Sequence, residues 1–272
     1  MRIGIVCYPT FGGSGVVATE LGMALADKGH EVHFVTYNQP VRLDFFSHRL
    51  HFHEVVLEEY PLFQYQPYEL ALSSKMVEVV EKHQLEVLHV HYAIPHAYAA
   101  YMAKKMLEDK GIEIKVVTTL HGTDITLVGS HPTYKTAVEF SINKSDEVTA
   151  VSNSLKEDTL RLFNIDKDIK VVYNFIDGKK YDKANQDECK RIALAKPEEK
   201  ILTHVSNFRP VKRTEDVIKI FNEVQKKIPS KLLMVGDGPE RLKAENLAKK
   251  LQIEEKVLFL GNSNEVAKIL CY

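Results

Sequence analysis

The sequence has no tryptophan, three cysteines in 272 residues and almost no net charge, 36 lysines and arginines against 37 aspartates and glutamates giving −1. Each shortage removes a class of function. A balanced charge gives no electrostatic footprint for nucleic acid or for a bulk membrane surface. Cys7, Cys189 and Cys271 have neither the pairing of a disulfide framework nor the spacing of a zinc site, as expected in a reducing cytoplasm. No apolar run reaches the roughly 18 residues that span a bilayer. The chain enters a strand-like run at Arg2 without a basic and apolar leader. A cytoplasmic globular protein is expected. Two catalytic signatures are missing as well. Gly12-Gly13-Ser14-Gly15 puts Ser14 out of frame for a Gly-x-Ser-x-Gly hydrolase elbow, and no Gly-Lys-Ser/Thr of a Walker loop follows it.

What is present is a glycine turn between a strand and a helix. Arg2-Ile3-Gly4-Ile5-Val6-Cys7-Tyr8 reads as a strand, and Val17, Leu21, Ala24 and Leu25 recur at helical spacing after the turn. Glycines there let backbone approach a ligand, and a helix N-terminus offers unpaired N–H groups to an anion such as phosphate. Gly13-x-Gly15-x-x-Ala18 fits a relaxed dinucleotide fingerprint. That fingerprint also needs an acid about 20 residues on, at the end of the second strand, to hold a ribose hydroxyl. The second strand, Glu31-Val32-His33-Phe34-Val35-Thr36-Tyr37, carries its one acid at the wrong end and runs out into Asn38-Gln39-Pro40. The expectation is a loop for a phosphate or substrate other than a dinucleotide.

Short β-branched runs alternate with helical stretches along the chain. Further strands are expected over residues 51–56, 85–91, 114–120, 147–151 and 169–173, and helices over 68–82, 96–109, 134–143 and 154–163. Gly29 and Gly111 close two of the helical stretches. Lys104-Lys105 and Lys226-Lys227 read as solvated helix faces. This alternation predicts right-handed crossovers and a parallel sheet covered on both faces. The polar stretch Asn174-Phe175-Ile176-Asp177-Gly178-Lys179-Lys180-Tyr181-Asp182 reads as a connection. A second series follows, with strands at 201–205, 231–235 and 257–260 and helices at 214–228, 239–251 and 264–270. The fold class is α/β with two Rossmann-like domains, residues 1–176 and 177–272. The second is expected to be cut short at three strands.

In open α/β sheets ligands lie beyond the carboxyl ends of strands. Those positions hold the glycine turn, Tyr92 with Pro95 and His96, His121-Gly122-Thr123-Asp124, and Ser152-Asn153-Ser154. In the second domain they hold Asn207-Phe208-Arg209-Pro210-Val211-Lys212-Arg213, Gly236-Asp237-Gly238-Pro239-Glu240 and Gly261-Asn262. Two such domains across a cleft suit a two-substrate site. His89 and His91 share a strand face but lack a third ligand at metal spacing, so structural contacts are expected of them and a functional role of His121.

Together the Gly-Gly-Ser-Gly loop, His121-Gly122-Thr123-Asp124, Val171-Val172-Tyr173-Asn174-Phe175-Ile176-Asp177, Lys212 and Val235-Gly236-Asp237-Gly238-Pro239 resemble family-4 retaining glycosyltransferases, which have the GT-B fold. Cys7-Tyr8-Pro9, the stretch from His89 to His96, and that from Ser206 to Arg213 sharpen the likeness. They point to members that use UDP-N-acetylglucosamine as donor and L-malate as acceptor, at the start of bacillithiol synthesis. The resemblance implies a transferase that retains anomeric configuration and needs no metal or other cofactor. It implies catalytic roles for His121, beside the donor sugar, and Lys212, on the diphosphate. Donor contacts would come from Gly13, Ser14, Gly15, Asn207, Arg209, Gly236, Gly238 and Gly261. Acceptor contacts would come from Ser14, Tyr92, Thr119, Thr123 and Asn153. The partners implied are these two substrates, not nucleic acid or membrane, and a homo-oligomer is compatible with them.

Two departures bear on this. The family usually has arginine where Asn207 stands, and Arg209 would face away if its strand continued. The family's Glu-x7-Glu segment would follow Tyr272, so weak binding and little turnover are expected of this chain. A lipid or glycan acceptor would leave an apolar patch, for which Phe45-Phe46 and the aromatic stretch from Tyr60 to Tyr68 are the candidates. A non-catalytic nucleotide-sugar-binding protein would bind without product, and a nicotinamide oxidoreductase would be stabilised by NAD and not by UDP.

Overall fold

The structure is a computed structural model that describes residues 1–44, 47–58, 61–178, 181 and 191–270. Phe45-Phe46, Tyr60, Lys179-Lys180, Asp182, Cys189, Cys271 and Tyr272 lie outside the described residues. The chain divides into two units, Met1–Phe175 and Ile176–Tyr272.

The first unit holds strands β1 (Arg2–Val6), β2 (Glu31–Thr36), β3 (Leu50–Glu54), β4 (Val87–His91), β5 (Lys115–Leu120), β6 (Glu147–Ala150) and β7 (Ile169–Val171). Its helices are α1 (Gly13–Asp27), α2 (Tyr68–His83), α3 (Tyr98–Glu108), α4 (Pro132–Lys144) and α5 (Asn153–Leu162). The strands form one parallel sheet in the order β3-β2-β1-β4-β5-β6-β7. Valine-rich strands buried on both faces are what such a sheet requires. Val6, Val35, Leu88 and Val90 pack against Leu72, Met76, Ala100 and Leu107 of α2 and α3. Ile5 and Phe34 face Ala18 and Ala26 of α1 on the other side.

Helix ends follow local chemistry. Ser152 caps α5 by accepting the Leu155 N–H at 3.1 Å, and Pro132 opens α4, where a missing N–H does no harm. Gly29 and Gly111, both at positive φ, follow α1 and α3 as expected. The expected helix from His96 begins at Tyr98, because residues Ala93–Ala97 form a wider turn closed by the Ala97 N–H on the Tyr92 carbonyl at 3.2 Å. Strands end one or two residues early at Tyr8, Val151 and Tyr173, where the backbone turns out of the ladder. Lys104 is a correction. It is not solvated but half-buried, its ammonium 2.9 and 2.8 Å from the two Asp146 oxygens, while Asp146 also accepts the Val116 N–H. This clip fastens α3 across β5 and β6.

The second unit has β8 (Lys200–Val205), β9 (Ser230–Val235) and β10 (Val257–Gly261) in the parallel order β10-β9-β8. Helices α6 (Thr214–Gln225) and α7 (Arg241–Lys250) bury Ile218, Phe221, Ala244 and Ala248 against Leu232 and Met234. A short α8 (Val266–Ile269) covers Leu233 and Val235 on the other face. The helix expected from Pro239 starts at Arg241, because Gly238-Pro239-Glu240 form the turn that leads into it. Among the described residues no helix is long and apolar enough to cross a membrane.

Candidate active site

The chain runs outward in one direction through β1, β2 and β3 and in the other from β4, so β1 and β4 flank the point where strand order reverses. A crevice opens at such a point beyond the strand ends. The loop after β1 leads to Gly12, extended at φ −73° and ψ 157°, which begins α1 with no side-chain cap. The first amides of α1 therefore stay open to a ligand. Gly15 is compelled by packing: a Cβ there would lie 2.4 Å from the Tyr8 carbonyl and 2.6 Å from that of Thr10.

After β4, Tyr92 takes a positive φ of 86° and turns its phenol to the glycine loop, where the Ser14 hydroxyl donates to it at 2.9 Å. The Tyr92 ring lies 5.4 Å from the His121 ring. His121 Nε2 is 2.7 Å from His91 Nδ1, and His91 stacks on His89 at 4.8 Å. His89 in turn shares the Thr119 hydroxyl with Thr149, both contacts at 2.7 Å. Burial pushes His89, His96 and His121 down to about 4, and burial with three neighbouring imidazoles holds His91 well below the ordinary imidazole value. The column is neutral at pH 7, so His121 acts there as a hydrogen-bonding group and not as a cation.

Asp124 fixes the loop that carries His121. Its buried carboxylate accepts the N–H groups of His121 at 3.1 Å, Gly122 at 2.9 Å and Ala93 at 3.0 Å, joining the loops that follow β4 and β5. Burial raises it to about 6 against those three bonds, which lower it. The sequence motif contains Asp124 without marking its role; an aspartate two positions after a glycine, able to accept backbone N–H groups, is the signal it offers. The His91 partnership was likewise missed, because register and not spacing creates it.

The expected acceptor residues separate. Ser14 and Tyr92 meet, and Thr123 is exposed at the start of the turn after Gly122. Thr119, near the end of β5, is buried, and its hydroxyl is shared by His89 and Thr149. Asn153 is exposed at the start of α5, its amide donating to the Tyr173 phenol at 3.0 Å.

In the second unit the loops after β8 and β9 press backbone on backbone. A Cβ at Gly236, at φ 123°, would sit 1.7 Å from the Ser206 carbonyl, and one at Gly238 would sit 2.4 Å from that of Asn207. The Gly236 N–H donates to the Gly261 carbonyl at 2.7 Å, so the ends of all three strands converge. The Asn207 amide oxygen is buried there without a hydrogen-bond partner. Arg209 corrects the expectation of an opposite strand face: β8 stops at Val205, and Arg209 leads into a tight turn, Pro210–Lys212. Arg209 and Lys212 are both exposed at this turn, whereas Arg213 bonds Asp216. A pair of cations beside glycine loops is a suitable setting for a diphosphate.

Residues 11–180 match the model of Glycosyltransferase Family 4, and residues 185–272 match that of Glycosyl transferases group 1. The chain belongs to glycosyltransferase family 4. A Bacillus anthracis protein named N-acetyl-alpha-D-glucosaminyl L-malate synthase is 52% identical over 270 residues, 99% of this chain and 70% of that protein. An uncharacterized glycosyltransferase of Methanocaldococcus jannaschii is 26% identical over 97% of this chain and 70% of its own length. Among solved structures, Anabaena HepE in complex with UDP and glucose matches with a TM-score of 0.75 at 17% identity, covering 100% of this chain and 72% of that one. Sucrose-phosphate synthase from Thermosynechococcus elongatus matches with a TM-score of 0.71 at 18% identity, over 99% of this chain and 73% of that one. The fold is therefore that of the GT-B glycosyltransferases, and this family member is a transferase.

Proposed function

We propose that this glycosyltransferase moves N-acetylglucosamine from UDP-N-acetylglucosamine to L-malate, the first step of bacillithiol synthesis, with retention of anomeric configuration. The observation that carries this reading is the 52% identity, over 99% of this chain, to the malate synthase of Bacillus anthracis. The geometry is compatible with it. Malate brings two carboxylates and a hydroxyl nucleophile, and the uncapped α1 terminus with Ser14, Tyr92 and Thr123 supplies N–H and O–H donors for such a ligand. A Cβ at Gly13 would meet no protein atom within 4 Å, and Gly15 lets the loop after β1 pack against that terminus.

The leaving group is a diphosphate whose charge grows in the transition state. Lys212 and Arg209 neutralise it, and Gly236, Gly238 and Gly261 let the nucleotide lie against backbone beside Asn207. His121, neutral and fixed by His91 and Asp124, positions the sugar and the departing oxygen. No metal takes part in this scheme.

The test is mass spectrometry of the protein incubated with UDP-N-acetylglucosamine and L-malate, with and without EDTA. The expected result is a glucosaminyl-malate adduct of α configuration, formed at equal rate in both samples. Donor consumption that does not depend on malate, or transfer to a different acceptor in a mixed pool, overturns the assignment.

A further inference from the structure

A second polar cluster lies at the other end of the first sheet. Glu31 and His33 alternate along β2, and His51 and His53 along β3, with His33 opposite His51 in the parallel register. Residues two apart on a strand share a face, so all four point the same way. His83, in the last turn of α2, closes over them with its ring 4.5 Å from His33 and 4.9 Å from His53. Glu31 opens β2 at its amino end, whereas the transfer chemistry proposed above gathers beyond carboxyl ends.

The contacts within the cluster are specific. His33 is fully buried, and its Nδ1 lies 2.9 Å from His53 Nε2. Its Nε2 is 3.4 Å from Glu31 Oε1, and His51 Nε2 is 3.2 Å from the same oxygen. Neither Nε2 has a hydrogen-bond partner, since neither is aligned for one. Burying such a nitrogen unpaired is costly, and no transfer step uses it. An ion bound at about 2.0–2.1 Å by three tetrahedral ligands would hold their donor atoms about 3.3 Å apart. The two edges to Glu31 Oε1 have that length.

We propose that Glu31, His33 and His51 bind a divalent late transition-metal ion of the zinc class, with His53 positioning His33. Their donor atoms all lie within 4.8 Å of one another. Two imidazoles and a carboxylate suit zinc, whereas magnesium and calcium take oxygen ligands. The Nδ1 contact to His53 is the kind of outer bond that fixes a ligating imidazole and leaves its other nitrogen as donor. Glu31 lines an open groove of ≈ 540 Å³ with Gly29, His48 and Arg49, which gives an ion and its remaining water a way in. The ion would tie edge strand β3 to β2 and leave transfer chemistry unchanged.

The experiment is calorimetric titration of the untagged, chelator-dialysed protein with Zn2+, with Co2+ absorption as a spectroscopic readout and a thermal melt for each variant. One ion per chain, a raised Tm and tetrahedral Co2+ bands are expected. Glu31→Gln and His51→Gln, at partly exposed positions, should fold and bind at least about tenfold more weakly. His53→Gln should weaken binding by about tenfold, and His131→Gln, far along the chain, should not. Absence of stoichiometric binding overturns the site. Unchanged affinity in Glu31→Gln and His51→Gln, with loss in His83→Gln, overturns this ligand set.

Discussion

The Ser14 hydroxyl donates to the Tyr92 phenol at 2.9 Å, joining the loop after β1 to the loop after β4 across the point where strand order reverses. That bond brings together two hydroxyls 78 residues apart in sequence, both proposed above to meet the acceptor. Tyr92→Phe keeps the ring, edge-on to Tyr8 at 5.4 Å, and removes only the oxygen. Loss of one such bond changes stability by about 1 kcal/mol. The acceptor KM should rise about tenfold while donor KM stays within about twofold, about 1.4 kcal/mol being one factor of ten. Steady-state kinetics with each substrate varied checks this, and equal effects on both would separate Tyr92 from the acceptor.

Gly236→Ala should damage the nucleotide side alone. The added Cβ would meet the Ser206 carbonyl at 1.7 Å, at a φ of 123° that L side chains rarely adopt. Both effects push the β9 loop from the β8 loop, at roughly 1–3 kcal/mol of strain. UDP affinity measured by calorimetry should fall by more than about tenfold, and malate affinity should be unchanged. Lys212→Ala should weaken UDP binding and slow transfer by about tenfold or more through loss of a charge-assisted contact.

The Asp124 carboxylate gives a pH signature with a definite sign. Burial raises its folded-state value to about 6. The unfolded value is about 3.9. A raised carboxyl contributes stability that is fully present below the unfolded value and is lost as pH rises through about 6. Asp124→Asn has no such titration. The stability of the natural protein minus that of the variant should therefore be larger at pH 4 than at pH 7.5, by roughly 1–3 kcal/mol. Paired urea melts at the two pH values check this, and a difference that grows with pH would contradict it.

Much of this architecture was legible because it repeats. Strand and helix periods alternate through both units, and Gly12-Gly13-Ser14-Gly15 announces a turn wherever it occurs. What sequence could not supply was which strand lies beside which. Thr119 stands at a strand end, and only the β4–β5–β6 register shows that its hydroxyl meets His89 and Thr149. Lys104 sits in a helical pattern like any solvated lysine, until α3 is laid over Asp146. Arg209 was placed by strand alternation, which fails once β8 ends at Val205. The Glu31, His33 and His51 cluster was invisible for the same reason, since pairing of β2 with β3 creates it.

His121 provides the sharpest separation of binding from chemistry. It is held from two sides, its ring by His91 at 2.7 Å and its backbone by Asp124 at 3.1 Å, and burial keeps it neutral. A group fixed in this way before the reaction begins stabilises developing charge without reorganising. His121→Ala removes the group and leaves the backbone anchor intact. The expected result is a fall in kcat of about 10²–10³ with UDP affinity changed less than about threefold, the range for loss of one preorganised donor. His91→Ala frees the ring without removing it, so it should lower kcat by about tenfold and leave both KM values unchanged. A loss of UDP affinity in His121→Ala at unchanged kcat would move this residue from the chemistry to donor binding.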